Sequence, residues 1–130
     1  IGGALRLSGK RPLVTVTSTV MPGSMDGYIR PAIEEASGRV AGEGFGLCYS
    51  PEFIALGSVV RDLTHPDLLL IGESDPGSGE ALERFYSTIC RNRPAYHRMS
   101  FLNAAIAKIA VNSYVTMKIS FANTLARLAE

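Results

Sequence analysis

The sequence predicts an α/β fold: an open, mostly parallel sheet with helices on its faces, followed by one long α-helix. Three observations predict it. Strand-like and helix-like segments alternate three times along the chain. One of the strand-like segments, Leu68 to Gly72 (LLLIG), is apolar on both faces, as in the buried interior of a parallel sheet. The last segment, Phe101 to Glu130, runs without a single Gly or Pro and is strongly helical in composition.

The elements follow in order. Ile1 to Leu7 has the composition of a helix end, with Gly9 as its stop. Pro12 to Thr19 (PLVTVTST) alternates and is β-branched, which predicts a strand ended by Pro22 and Gly23. Ser24 is placed to cap a helix from about Met25 to Ala36, with Asp26 at its positive end and Gly38 closing it. A Gly-rich loop, Gly42 to Gly46, leads into a second strand, Phe45 to Tyr49. Pro51 breaks that strand and opens a segment, Pro51 to Pro66, that reads as irregular. After the third strand come a helix from about Ser78 to Cys90 and a short edge strand near Ala95 to Met99. Three or four strands are few for a doubly wound sheet, a hint that the chain is part of something larger.

Composition sets further bounds. The 130 residues fit one modest domain, or one and a fraction. They are 46% hydrophobic and 19% charged, ordinary for a chain that buries a core. A net charge of +1 provides no basic excess to attract nucleic acid. No stretch is long and apolar enough to span a bilayer, and no signal peptide is visible. Two cysteines, Cys48 and Cys90, read as reduced, mostly buried thiols of a cytoplasmic protein. The chain starts at Ile1 with no Met, which reads as a cut or processed end.

Three places hold residues with usable chemistry. Ser18 and Thr19 stand at the carboxyl end of the first strand, where open α/β sheets bind ligands; the plainer alternative is an ordinary turn. Glu52, in Ser50-Pro51-Glu52-Phe53, stands just past the second strand, where a carboxylate can serve as a general base for water; the alternative is a solvated loop Glu. On the last helix Lys108 and Asn112 are four apart and share a face, which Thr116 and Asn123 extend. The small apolar neighbours of Lys108 suit a partly desolvated ammonium that holds an oxyanion; the alternative is a snorkelling surface lysine. The Gly42–Gly46 loop precedes a strand instead of following one, so the dinucleotide fingerprint fails there. His65 reads as a turn residue, His97 has no visible partner, no cluster has zinc-ligand spacing, and neither cysteine looks activated.

Four stretches in order then carry a resemblance. They are Ser18 to Ser24 (STVMPGS), Tyr49 to Phe53 (YSPEF), Asp62 to Gly72 (DLTHPDLLLIG), and Ala107-Lys108 through Asn112 to Asn123. Together they span nearly the whole chain and resemble the UDP-glucose/GDP-mannose dehydrogenase family. The resemblance implies the second half of a doubly wound, Rossmann-like NAD-binding domain over residues 1–98, and the start of a central helical dimerisation domain over residues 99–130. It implies an NAD-dependent enzyme of polysaccharide biosynthesis that oxidises the C6 alcohol of a UDP- or GDP-sugar to a carboxylate through a cysteine thioester. Carried over by resemblance, Ser18 and Thr19 would meet the cofactor, and Thr19 the catalytic water as well. Glu52 would activate that water, Phe53 and Ile54 would touch the sugar nucleotide, and Lys108 and Asn112 would stabilise the oxyanion. The family pattern departs here at Leu56 and Leu68, and at Ala105 on the last helix.

The family's Gly-rich dinucleotide loop and catalytic cysteine have no counterpart within these residues, so the chain reads as a fragment that neither holds NAD tightly nor turns over substrate alone. A non-enzymatic binding or oligomerisation module derived from the family is the alternative. The apolar residues of the last helix, among them Tyr114, Met117, Phe121 and Leu125, exceed one narrow face and predict a homodimer through it.

Overall fold

The fold is described from a computed structural model, which covers residues 1–55 and 57–129; Leu56 and Glu130 lie outside the described residues. A short helix α1 (Gly2–Leu7) precedes strand β1 (Leu13–Val16). A π-helical turn (Met25–Ile29) then runs directly into helix α2 (Arg30–Ser37). Strand β2 (Gly46–Tyr49), helix α3 (Val59–Thr64), strand β3 (Leu68–Glu73), helix α4 (Pro76–Ile89), strand β4 (Ala95–Met99) and helix α5 (Phe101–Ala129) complete the chain.

The four strands form one sheet in the order β1-β2-β3-β4. Two of its three pairings are parallel: β1 with β2, and β3 with β4. Each is joined by a crossover that carries a helix, α2 in the first and α4 in the second. The sheet is therefore mostly parallel, as expected, but β2 and β3 run antiparallel, with Cys48 opposite Glu73 and Tyr49 opposite Gly72. The described residues between them, 50–55 and 57–67, stay at one edge of the sheet instead of crossing a face. That reversal places the carboxyl ends of β1 and β2 beside the amino ends of β3 and β4.

Helices cover both faces. On one, Leu47 and Tyr49 of β2 pack with Leu5, Met25, Ile33 and the start of α5, at Phe101, Ala104 and Ala105. On the other, Cys48 and Ile71 pack with Leu82 and Tyr86 of α4. The period-2 alternation along β2 therefore feeds two separate cores. Gly72 lets α5 cross β3 closely: a Cβ there would lie 3.1 Å from the Phe101 backbone and 3.3 Å from the Ala104 side chain.

Several sequence expectations need correction. The first strand is shorter than Pro12 to Thr19, because β2 offers only four partners, so Thr17, Ser18 and Thr19 leave the ladder. Ser24 does not cap: it has helical backbone angles itself, and among the described residues its side chain makes no capping bond. The stretch read as irregular contains α3, tied to the chain before it by Asp62 of its first turn, which accepts from Ser58 Oγ (2.6 Å) and from the Ala55 amide (3.0 Å). Helix α4 starts two residues earlier than Ser78, because Asp75 caps it and Pro76 suits its first position. Gly38 does close α2, at φ 67°.

Asp75 is also the hub of the edge opposite residues 50–67. Its carboxylate accepts from the Ser78 amide (3.0 Å), from Ser74 Oγ (2.9 Å) and from Ser78 Oγ, and pairs with Arg11 at 3.3 Å. Burial alone would raise its pKa; the hydrogen bonds from Ser78, Ser74 and Arg11 outweigh it and hold the carboxyl below the usual range. A carboxylate so depressed stabilises the fold above its unfolded value near pH ~4, and that contribution fades as pH falls through the folded value. Asp75→Ala should therefore cost about 1–2 kcal/mol in denaturant unfolding at pH 7. The deficit against wild type should shrink below about pH 4.

Candidate functional site

The edge where the carboxyl ends of β1 and β2 meet the amino ends of β3 and β4 holds a cleft of about 330 Å³. One wall is the turn that follows β2, with Pro51, Glu52, Phe53 and Ile54. The other walls come from α3 and the start of β3, with Asp62, Leu63, His65, Pro66, Asp67 and Leu68. Tyr86 of α4 and Val111 of α5 close it. Its volume lies at the lower end of the range of small-molecule sites.

Lys108 is the key to this edge. It is only 6% exposed, which rules out the snorkelling alternative. Its Nζ donates to the backbone carbonyl of Glu52 at 2.5 Å and stands 4.2 Å from the centroid of the Phe53 ring. Burial lowers the pKa of this ammonium, and the charge of Glu52 opposes the shift. The buried cation is solvated by a carbonyl dipole and an aromatic face in place of water. Glu52, Phe53 and Lys108 are thus brought together across 56 residues of chain. The Glu52 side chain itself is exposed at the cleft mouth.

Ser18 and Thr19 lie on the neighbouring strand end, exposed. Val16 pairs with Tyr49, so Thr19 and Glu52 each stand three residues past a matched pair on adjacent parallel strands. The Val20 amide, next to Thr19, donates to the buried Tyr49 hydroxyl at 3.4 Å, which fastens this strand end to the core. Of the predicted site residues, Glu52, Phe53 and Ile54 line the cleft, whereas Ser18, Thr19, Lys108 and Asn112 do not. Asn112 is one turn along α5 from Lys108 and exposed, beside Val111, which does line the cleft. Thr116 donates back to the Asn112 carbonyl at 2.9 Å, and Asn123 is far out on the exposed part of α5. Glu52 and Lys108 are therefore in contact, with Thr19 past the end of the neighbouring strand and Asn112 one turn along α5.

Exposed neutral hydroxyls at the end of a parallel strand, ahead of a helix, suit the amide and ribose hydroxyls of a dinucleotide. Ser18 and Thr19 are exposed and can both donate to and accept from such groups. Neither thiol is placed to react. Cys48 is wholly buried, and burial first, then the carboxylates of Glu73 and Asp75, push it up to about 12. Cys90 is raised by burial alone. Of the departures noted above, Leu68 lines the cleft and Ala105 is buried against the core; Leu56 lies outside the described residues. Among the described residues, no group of His, Cys, Asp and Glu is arranged to hold a metal ion. No helix among them is long and apolar enough to cross a membrane.

Two participants escaped the sequence reading. Tyr86 and Val111 sat on helices with no motif around them, and only the packing of α4 and α5 onto the sheet brings them to the cleft. His65, read as a turn residue, is a wall residue, exposed and bonded to its neighbour Thr64 at 3.0 Å.

Residues 5–90 match the pattern described as the UDP-glucose/GDP-mannose dehydrogenase family, NAD binding domain. The GDP-mannose 6-dehydrogenase of Azotobacter vinelandii is 34% identical over 130 residues, which is 100% of this chain and 29% of that protein. The UDP-glucose 6-dehydrogenase of Haloferax volcanii is 31% identical over 132 residues, 100% of this chain and 31% of that protein. Among solved structures, a ternary complex of GDP-mannose dehydrogenase from Pseudomonas aeruginosa matches with a TM-score of 0.87 and 34% identity, over 94% of this chain and 27% of that one. A UDP-glucose dehydrogenase from Pyrobaculum islandicum matches with a TM-score of 0.84 and 34% identity, over 95% and 27%. The chain spans less than a third of the length of these relatives. With residues 5–90 matching the family's NAD binding domain and the same fold found in its solved members, this chain belongs to the UDP-glucose/GDP-mannose dehydrogenase family.

Proposed function

We propose that this chain is the part of a nucleotide-sugar dehydrogenase that presents Thr19, Glu52, Lys108 and Asn112 to the C6 alcohol of a UDP- or GDP-sugar and takes it to the carboxylate. The observation that carries this reading is the buried Lys108 ammonium, held by the Glu52 carbonyl and the Phe53 ring at the edge of a ligand-sized cleft. NAD, when bound, supplies the hydride acceptor. Ser18 and Thr19 hold its nicotinamide end, and Thr19 also orders a water. Glu52 takes a proton from that water. Lys108 and Asn112 donate to the oxygen that gains negative charge, where a preorganised, poorly hydrated donor is most effective. Phe53 and Ile54 touch the sugar nucleotide from the cleft wall.

The second oxidation proceeds through a cysteine thioester whose thiol is neither Cys48 nor Cys90, since neither reaches the cleft with a usable acidity. For that reason the 130 residues alone should be inactive. Residues 1–98 belong to the cofactor domain, and α5 opens the helical domain that follows. From Val111 onward the described residues of α5 are exposed, including Tyr114, Met117, Phe121 and Leu125, an apolar surface suited to a second copy of the protein. The compartment proposed is the cytoplasm.

Three outcomes are expected. Incubated with NAD and either UDP-glucose or GDP-mannose, the 130-residue chain should form no NADH by absorbance, whereas the complete dehydrogenase carrying it should form two per sugar; NADH from the chain alone would refute the reading. Lys108→Ala in that complete enzyme should lower kcat by about a hundredfold or more, measured in the same assay. Light scattering should report a dimer, and Phe121→Glu combined with Leu125→Glu should shift it to a monomer.

A further inference from the structure

Residues 51–55, which carry Glu52, form neither helix nor strand, so the direction of the Glu52 carboxylate depends on what holds this turn from outside. Lys108 holds it from the α5 face of the sheet. A second hold comes from the opposite face. Ser50, 1% exposed, ends the β2 run and donates its amide to the Val16 carbonyl at 2.9 Å. Its hydroxyl is paired with the hydroxyl of Tyr86 at 3.0 Å, and either can donate. We infer that Tyr86 is a positioning residue of the proposed oxidation: its hydroxyl, through Ser50, sets the turn at residues 51–54 and so aims Glu52 into the cleft.

The inference rests on the dehydrogenase reading above, and three features carry it. Tyr86 lines the cleft beside Pro51 and Glu52 while its hydroxyl reaches under the turn, so one side chain joins wall and support. A phenylalanine would fill the same space against Leu82 and Ile71; only the hydroxyl requires a polar partner, and it finds Ser50. The anchor is rigid, because Tyr86 stands on a 14-residue helix capped by Asp75. Burial pushes the phenol's pKa further above its ordinary value, so the pair is an uncharged hydrogen bond at neutral pH. Removing either hydroxyl leaves the other buried and unpaired, which releases the turn. Small displacements at a reacting centre are costly in rate.

The test compares Tyr86→Phe, Ser50→Ala and the double variant in the complete dehydrogenase carrying this chain. Each single variant should lower kcat about tenfold with the KM for NAD unchanged, and the double variant should be no slower than either single one. Amide hydrogen exchange on the same proteins should quicken at Glu52, Phe53 and Ile54 and stay unchanged in α4. Wild-type kcat in Tyr86→Phe, or single losses that multiply in the double variant, would overturn the positioning role. If the wild-type enzyme oxidises no nucleotide sugar, the dehydrogenase reading fails. Exchange alone then decides the tether: faster exchange at residues 52–54 in Tyr86→Phe upholds it, and unchanged exchange rejects it.

Discussion

The contact between the Lys108 ammonium and the Glu52 carbonyl is the joint on which the arrangement of this edge depends. A lysine this buried is tolerated only where a dipole or a π face replaces its lost water, and both are supplied by residues of one turn. The helix and the turn therefore cannot shift independently without leaving a buried cation unsolvated. The approach that makes the contact possible is set one turn and more earlier, where the lack of a side chain at Gly72 lets Phe101 and Ala104 settle on β3. Packing at the start of α5 thus determines chemistry at its eighth residue.

The reversal between β2 and β3 divides the labour of the two sheet edges. At one edge the polar groups are occupied with each other. Arg98 bonds Glu73 at 2.8 Å and the Pro76 carbonyl at 2.7 Å, Asp75 caps α4, and Arg39 ties the carbonyls of Ser8, Lys10 and Gly44 together. Such a network costs little because its charged groups are paired. At the other edge, Ser18, Thr19, Glu52 and Asn112 are exposed. Ligand sites of open α/β sheets lie beyond strand carboxyl ends, and here β1 and β2 supply those ends while α3 and the start of β3 wall the cleft.

Local pattern was enough to place most elements to within a few residues. The β-branched alternation of β1, the doubly apolar run of β3 and the Gly- and Pro-free length of α5 are properties of the segments themselves. The misses share a cause. Helix α3 has six residues, too few for a helical period to show, and it forms because Asp62 collects donors from Ser58 and Ala55. Ser24 looked like a cap, yet the chain enters its helix one residue earlier through a π turn. At the candidate site, Thr19, Glu52 and Lys108 were picked out by position and type, whereas the burial that separates Lys108 from a surface lysine depends on what packs over it.

The sequence by itself determined the order and kind of most of the elements, the family motifs and the residue types that stand at the strand ends, because these follow from near neighbours along the chain. Tertiary structure alone decided the antiparallel turn of the sheet, the desolvation of Lys108 and the pairing of Ser50 with Tyr86. Those contacts join residues 56 and 36 positions apart, and their energies depend on burial that no local segment possesses until the sheet and both helices are in place.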